Sequence, residues 1–376
     1  MRIAFVCDAA FPWRKGGLEA VERTEAEQLA KHHEVHFFSM RWPGMKKDFT
    51  DKGIHYHTYH STNEEKFYRH GRRSVRGAFV FSLNLWKLFA YRFDVLEANM
   101  FPIIHIPLVK FYCKVTGCKM ILDVVEVWDK NYWTSYLGPV FGRLGYWYTN
   151  YFLDSANAYI ANSTATRRRL VAKGINKNMI TVFAPILDDA LLDKVRGERP
   201  KKELRVIYWG RFIKEKRIDK WLEVVKAVNK RMPKAKGILI GDGPERDAIR
   251  RAVKDMDLEK VVEVRSGISE NEPLFREVAK SSVLLHMSER EGLGIVALES
   301  LSLGVPVVLP DYTPIPKEVK DMCVVAKEED IADKLVEILK SKDKGKFLGD
   351  TGALRDYYIS NVTPKYGQIF GRLGLK

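Results

Sequence analysis

Residues 283–309 read Val283-Leu284-Leu285-His286-Met287-Ser288-Glu289-Arg290-Glu291-Gly292-Leu293-Gly294-Ile295-Val296-Ala297-Leu298-Glu299-Ser300-Leu301-Ser302-Leu303-Gly304-Val305-Pro306-Val307-Val308-Leu309. An apolar run, Val283 to Met287, gives way to a polar loop with two glycines, a nearly all-apolar helical stretch and a second apolar run from Val305. Strand, helix and strand in that succession predict a crossover unit of a parallel sheet. Glu291 lies in the loop, and Gly292, Leu293, Gly294 and Ile295 offer backbone amides at the helix start. Glu299 then sits about one and a half turns inside the helix. A carboxylate there accepts two hydroxyl hydrogen bonds, as a ribose diol offers, while the amides suit phosphates or sugar hydroxyls. Two surface salt-bridge glutamates are the poorer reading, because the helix around them is apolar and therefore buried.

The same alternation extends outward in both directions. Strands are expected at Arg2–Cys7, Val35–Ser39, Val95–Ala98, Met120–Val124, Ala158–Ala161 and Ile180–Phe183, with a helix at Leu18–Lys31. After the charged, proline-broken Glu198-Arg199-Pro200-Lys201-Lys202, a second series begins at Leu204–Trp209 and continues through Gly237–Ile240, Val261–Val264, Val283–Met287 and Val305–Leu309. The pattern predicts an α/β chain of two Rossmann-like, doubly wound domains, 1–197 and 203–353, with a C-terminal segment 354–376 that packs back on the first. Such domains bind ligands in a cleft at the C-terminal ends of their strands.

A chain of 376 residues, 46% hydrophobic and 30% charged, fills about two cores and excludes intrinsic disorder. The four cysteines are too few and scattered for a disulfide framework or a zinc site. His55, His57 and His60 lack a carboxylate or cysteine cluster beside them, and Asp255-Met256-Asp257 reads as a surface turn, so no metal is expected. The N-terminal apolar run stops at Asp8, short of a signal-peptide core, and no charge-free run is long enough to span a membrane. A cytoplasmic protein, peripheral on the inner membrane face, is expected.

Two further motifs face the predicted cleft. Gly16-Gly17-Leu18-Glu19 lies between the first strand and helix, where glycines permit close approach to a phosphate, although two glycines also mark an ordinary tight turn. In Gly210-Arg211-Phe212-Ile213-Lys214-Glu215-Lys216, the cations Arg211 and Lys216 suit a diphosphate, and a solvated basic loop is the other reading.

The pair Glu291…Glu299, with seven residues between, resembles the Glu-x7-Glu signature of family 4 glycosyltransferases, which have the GT-B fold. The glycine loop at Gly16-Gly17, Gly210-Arg211…Lys216, Gly241-Asp242-Gly243-Pro244 and Ser302 to Val308 resemble the other pieces of that family's pattern, in order. The resemblance implies a retaining, metal-independent, nucleotide-sugar-dependent transferase without a cofactor, whose second domain holds the donor and whose first holds the acceptor. It further implies that Arg211 and Lys216 neutralise the departing diphosphate, that Glu299 holds the ribose, and that Glu291 with Gly292–Ile295 positions the transferred sugar. Gly16, Gly17, Gly210 and Gly241 complete the implied donor site. Many relatives carry Val-His-Asp in the first domain. Here Asp123-Val124-Val125-Glu126 stands there, so Glu126 is either a substitute proton shuttle or an ion-pair partner.

The net charge of +15 alone suits nucleic acid, but its distribution argues for a different partner. From Lys66 to Phe93 there are seven Lys/Arg and no Asp or Glu, interleaved with aromatics; Arg69, Arg72, Arg73, Arg76 and Trp86 mark the patch. Tyr132–Phe152 is aromatic-rich with the single charge Arg143. Both suit an anionic membrane surface and a lipid-linked acceptor better than nucleic acid. Two ordinary helices with aromatic cores and solvated cations are the plainer alternative.

Overall fold

The structure, a computed structural model, describes residues 1–14, 17–69, 72–268 and 270–375, without the side chains of Tyr68, Arg69 and Arg72. Two compact units share the chain: residues 1–186 with 356–376, and residues 187–355.

Among the described residues, the strands of the first unit are β1 (Arg2–Val6), β2 (Glu34–Arg41), β3 (Asp48–Asp51), β4 (Ile54–Ser61), a two-residue-per-strand hairpin of β5 (Tyr68–Arg69) and β6 (Arg72–Arg73), β7 (Val95–Asn99), β8 (Lys119–Val124), β9 (Ala158–Ala161) and β10 (Ile180–Val182). The main sheet has the order β10-β9-β8-β7-β1-β2-β4-β3, and every pairing in it is parallel except β3 with β4. Its central strands are buried on both faces, so β1 reads as an apolar run from Ile3, while β7 and β8 carry Glu97 and Asp123 buried among their apolar residues. The second unit holds β11 (Arg205–Trp209), β12 (Lys236–Ile240), β13 (Val262–Arg265), β14 (Val283–Leu285), β15 (Val307–Pro310) and β16 (Val324–Ala326), all parallel in the order β13-β12-β11-β14-β15-β16. Each unit has its own apolar core. Strands β3, β4, β16 and the β5/β6 hairpin lie outside the expected set; β3 and β16 are short edge strands, β5 and β6 are two residues each, and β4 alternates histidine with its apolar residues.

The boundary falls earlier than Glu198–Lys202. The helix Asp189–Gly197 belongs to the second unit, where Leu192 and Val195 are buried and Lys194 pairs with Glu272 at 2.8 Å. The apolar face of this helix, and not the charged stretch after it, decides its allegiance. The C-terminal helix Val362–Arg372 joins the first unit against the helix Gly17–Leu29, with Tyr366 Oη donating to Glu97 Oε2 at 2.5 Å. Beneath it the acids Glu22, Glu25, Glu97 and Asp123 are all buried. Burial and then the neighbouring Asp123 push Glu97 up to about 8, and burial pushes Asp123 up to about 7.

Candidate active site

The strand order of the second unit reverses at its centre. From β11 the chain steps to β12 and β13 on one side, then returns to β14 on the other. The loops after β11 and β14 therefore open side by side at the strand C-terminal ends, where α/β sheets bind ligands. They are tied together: Glu289 N donates to Glu215 O at 2.9 Å, and Ser288 Oγ donates to Glu215 O at 3.3 Å and Arg290 O at 2.8 Å.

This juxtaposition brings the two distant motifs into contact. Lys216 Nζ reaches Glu291 Oε2 at 2.5 Å, across 75 residues of sequence. The same oxygen lies 3.1 Å from Nε2 of His286, a fully buried residue just past β14. Burial alone would raise the Glu291 carboxyl, but the hydrogen bond from His286, and then the Lys216 ammonium, hold it down at about 2. Glu299 is the fifth residue of the helix Ile295–Ser302, and its Oε2 accepts from Trp209 Nε1 at 3.3 Å. Burial pushes its carboxyl up to about 7 against the pull of the indole hydrogen bond. The two glutamates thus sit one helix apart in opposite electrostatic settings.

Arg211 is exposed in the loop after β11. Gly292 is exposed, Leu293 and Ile295 are half-buried, and Gly294 caps the helix at φ +78°, a left-handed conformation that a side chain resists. Gly241 is required by close packing, since a Cβ there would stand 1.9 Å from the carbonyl oxygen of Gly210. Trp209, His286 and Arg217 were not expected. Arg217 pairs with Glu289 and, at 3.2 Å, with Asp219. Trp209 and His286 adjoin the motifs but lie within apolar runs that read only as core.

The remaining predicted residues belong to the first unit. Gly16 lies outside the described residues, and Gly17 opens its helix in an exposed position. Glu126 is exposed beyond β8 and accepts from Trp128 Nε1 at 2.7 Å, so its partner is an indole and not a cation. Of the basic patch, Arg76 is exposed and Trp86 is 63% exposed. Arg73 is a correction: it turns inward to pair with buried Asp8, lies 4.6 Å over the Phe67 ring, and burial lowers its guanidinium to about 10. A cation facing lipid would not desolvate in this way. The side chains of Arg69 and Arg72 lie outside the described residues. His36 Nδ1 meets His57 Nε2 at 2.9 Å, and among the described residues no group of three or more His, Cys, Asp or Glu is placed to hold a metal ion.

Two doubly wound units, with paired glutamates and a lysine at a sheet's switch point, define the class as a GT-B glycosyltransferase. Residues 15–191 match the family described as Glycosyltransferase Family 4 and residues 191–355 the one described as Glycosyl transferases group 1; the chain belongs to this glycosyltransferase family. Among curated relatives, the N-acetyl-alpha-D-glucosaminyl L-malate synthase of Bacillus anthracis is 28% identical over 46% of this chain and 48% of its own length. The sulfoquinovosyl transferase SQD2 of Arabidopsis thaliana is 29% identical over 50% of this chain and 36% of its own. The chain spans about half the length, or less, of these curated relatives. The fold is shared with the sucrose-phosphate synthase of Thermosynechococcus elongatus, at TM-score 0.70 and 16% identity with 99% of each chain covered. It is likewise shared with Anabaena HepE in complex with UDP, at TM-score 0.68 and 13% identity, covering 99% of this chain and 100% of that one.

Proposed function

We propose that the chain transfers a sugar, with retention of anomeric configuration and without a metal ion, from a nucleotide-diphosphate donor on the second unit to an acceptor on the first. The observation that carries this reading is that β11 and its loop bring Trp209 to Glu299 and Lys216 to Glu291 at the β11/β14 switch point, with exposed Arg211 on the same loop. When the bond from the anomeric carbon to the diphosphate oxygen breaks, the leaving group takes the electron pair. Lys216 and Arg211 are the cations available to neutralise it. Glu291, kept ionised, accepts hydroxyls of the transferred sugar, the amides of Gly292–Ile295 face the donor, and Glu299 holds the ribose. In the first unit, exposed Glu126 is the candidate acceptor of the incoming hydroxyl's proton.

The acceptor is read as lipid-linked, reached at an anionic membrane surface. The names of the relatives span malate and, for a Mycobacterium tuberculosis enzyme, a phosphatidylinositol monomannoside, so the reading rests on this chain's surface. The crossovers β4 to β7, β7 to β8 and β8 to β9 run in one direction across the sheet, which places their helices on one face. Those helices carry Phe79 and Leu83, then Phe111, then Phe141, Leu144, Trp147 and Tyr151, each more than half exposed. Lys110, Lys114 and Arg143 lie on the same helices. Aromatics flanked by cations suit a headgroup layer, while no helix among the described residues is long and apolar enough to cross a membrane.

Thermal shift with UDP-, GDP- and ADP-sugars tests the donor half. A nucleotide sugar that binds the folded state raises Tm in the unaltered chain and leaves Glu299→Ala unmoved; no shift with any of them rejects the donor assignment.

A further inference from the structure

The first unit also has a switch point, where β1 is flanked by β2 on one side and β7 on the other. Beside it stands a group of aromatic rings that the donor chemistry does not use. Phe101, two residues past β7, stacks on Trp128, four past β8, with centroids 4.4 Å apart. Tyr132 and Tyr136 lie 4.5 and 5.2 Å from the same indole. These rings are not core: Phe101, Trp128 and Tyr136 are half-buried and Tyr132 is 46% exposed, whereas Trp133 beside them is buried.

The rings are held firmly by the chain itself. Asp129 caps the helix Lys130–Leu137 by accepting from Tyr132 N at 2.7 Å. The next helix, Pro139–Leu153, closes on it through Gly142 and Gly145, where a Cβ would stand 2.5 Å from Trp133 O and 2.7 Å from the Trp133 ring. The indole of Trp128 is fixed at 2.7 Å by Glu126, whose exposed carboxylate has lone pairs beyond the one it uses. Arg73, whose backbone N–H donates to Tyr136 Oη at 2.9 Å, has its charge matched by Asp8.

We propose that these rings are the acceptor subsite and that the acceptor unit they take is a neutral pyranose. The inference rests on the glycosyltransferase reading and names its acceptor class. A pyranose presents a face of C–H groups to an aromatic ring and an edge of hydroxyls to a carboxylate, and here Trp128 and Glu126 stand side by side. An acyclic polyol offers no such face. A carboxylate or phosphate at the rings would meet the Glu126 charge, and Arg73, whose backbone N–H contacts Tyr136, has its guanidinium already committed to Asp8.

The test is sugar transfer from the donor identified by thermal shift to n-octyl pyranosides of glucose, galactose, mannose and N-acetylglucosamine, set against glycerol and malate. Transfer to at least one pyranoside is expected. Its KM should rise at least tenfold in Trp128→Leu and return most of the way in Trp128→Tyr, while the nucleotide-sugar Kd stays as in the unaltered chain. Transfer to glycerol or malate alone, transfer to none of the pyranosides, or an unchanged pyranoside KM in Trp128→Leu overturns the subsite. Failure of the unaltered chain to bind any nucleotide sugar instead strikes the glycosyltransferase reading beneath it.

Discussion

If Glu299 holds the donor ribose as proposed, donor affinity depends on pH in a way that can be measured without knowing the acceptor. The Glu299 carboxyl is pushed up to about 7 by burial, and a ribose diol is best held by the ionised form, which accepts both hydroxyls. With that midpoint the ionised fraction is about 0.1 at pH 6 and about 0.9 at pH 8. The Kd for a nucleotide sugar should therefore tighten about tenfold between those values, or about 1.4 kcal/mol. A nucleotide sugar is the right probe because its diphosphate, esterified at both ends, has no terminal phosphate to titrate in this interval. Calorimetry on the unaltered chain, Glu299→Gln and Trp209→Phe gives three curves. Glu299→Gln should bind weakly with no inflection near pH 7. Trp209→Phe removes the hydrogen bond that lowers the carboxyl, so its inflection should move to higher pH. A flat profile in the unaltered chain, or a downward move in Trp209→Phe, would refute the assignment.

Other consequences are open to direct measurement. Lys216→Ala should lower kcat roughly 100- to 1,000-fold, the range seen when one preorganised charge-stabilising group is lost; a kcat within threefold would remove Lys216 from the chemistry. Stability should fall as pH rises from 6.5 to 8, because Glu97 and Asp123, with folded values near 8 and 7, retain protons that the unfolded chain has released. His36 and His57, whose folded values burial lowers, contribute the opposite slope, which fades as pH rises above their ordinary value near 6.5, so urea melts of Glu97→Gln above pH 7 should show a shallower slope than the unaltered chain. Gly241→Ala must displace the Gly210 carbonyl and should cost about 1–3 kcal/mol, read as a lower Tm. Phe141→Asp with Trp147→Asp should abolish co-sedimentation with phosphatidylglycerol vesicles, and retained sedimentation would dismiss that face as the membrane contact.

The local sequence carried the donor motif well, because a strand, a glycine loop and an apolar helix each have a pattern of their own at residues 283–309. Glu299 on its helix could be read from spacing alone. The bond from Lys216 to Glu291 could not, since it depends on β11 and β14 being neighbours, a fact of sheet order. His286 and Trp209 escaped for another reason. Each sits at the end of an apolar run, where a polar edge on a buried ring looks the same as core until its partner is placed. Arg73 shows the converse error. Its basic neighbours made it look solvated, and only the fold reveals that Asp8, at the end of the first strand, needs a cation. The helix at 189–197 was misassigned because a charged, proline-broken stretch is visible in sequence, while the surface that claims an amphipathic helix is not.

Under the proposed donor site, the Lys216–Glu291 pair also constrains how the donor would arrive. As the structure stands, the lysine assigned to the diphosphate is engaged at 2.5 Å by the glutamate assigned to the sugar. Neither can serve its ligand fully while the pair is intact. His286 alters that balance, because it bonds the same Glu291 oxygen from a fully buried position. Under the proposed roles, a Lys216 that moves to the diphosphate would leave Glu291 one fixed partner, His286, to keep it oriented for the sugar hydroxyls. Removing one partner of a partly buried ion pair is costly unless another group takes its place, and His286 is placed to do so. His286→Leu should accordingly strengthen the hold of Glu291 on Lys216 and raise the donor KM more than it lowers kcat. A fall in kcat with donor KM unchanged would mean that the exchange is not limited by this pair.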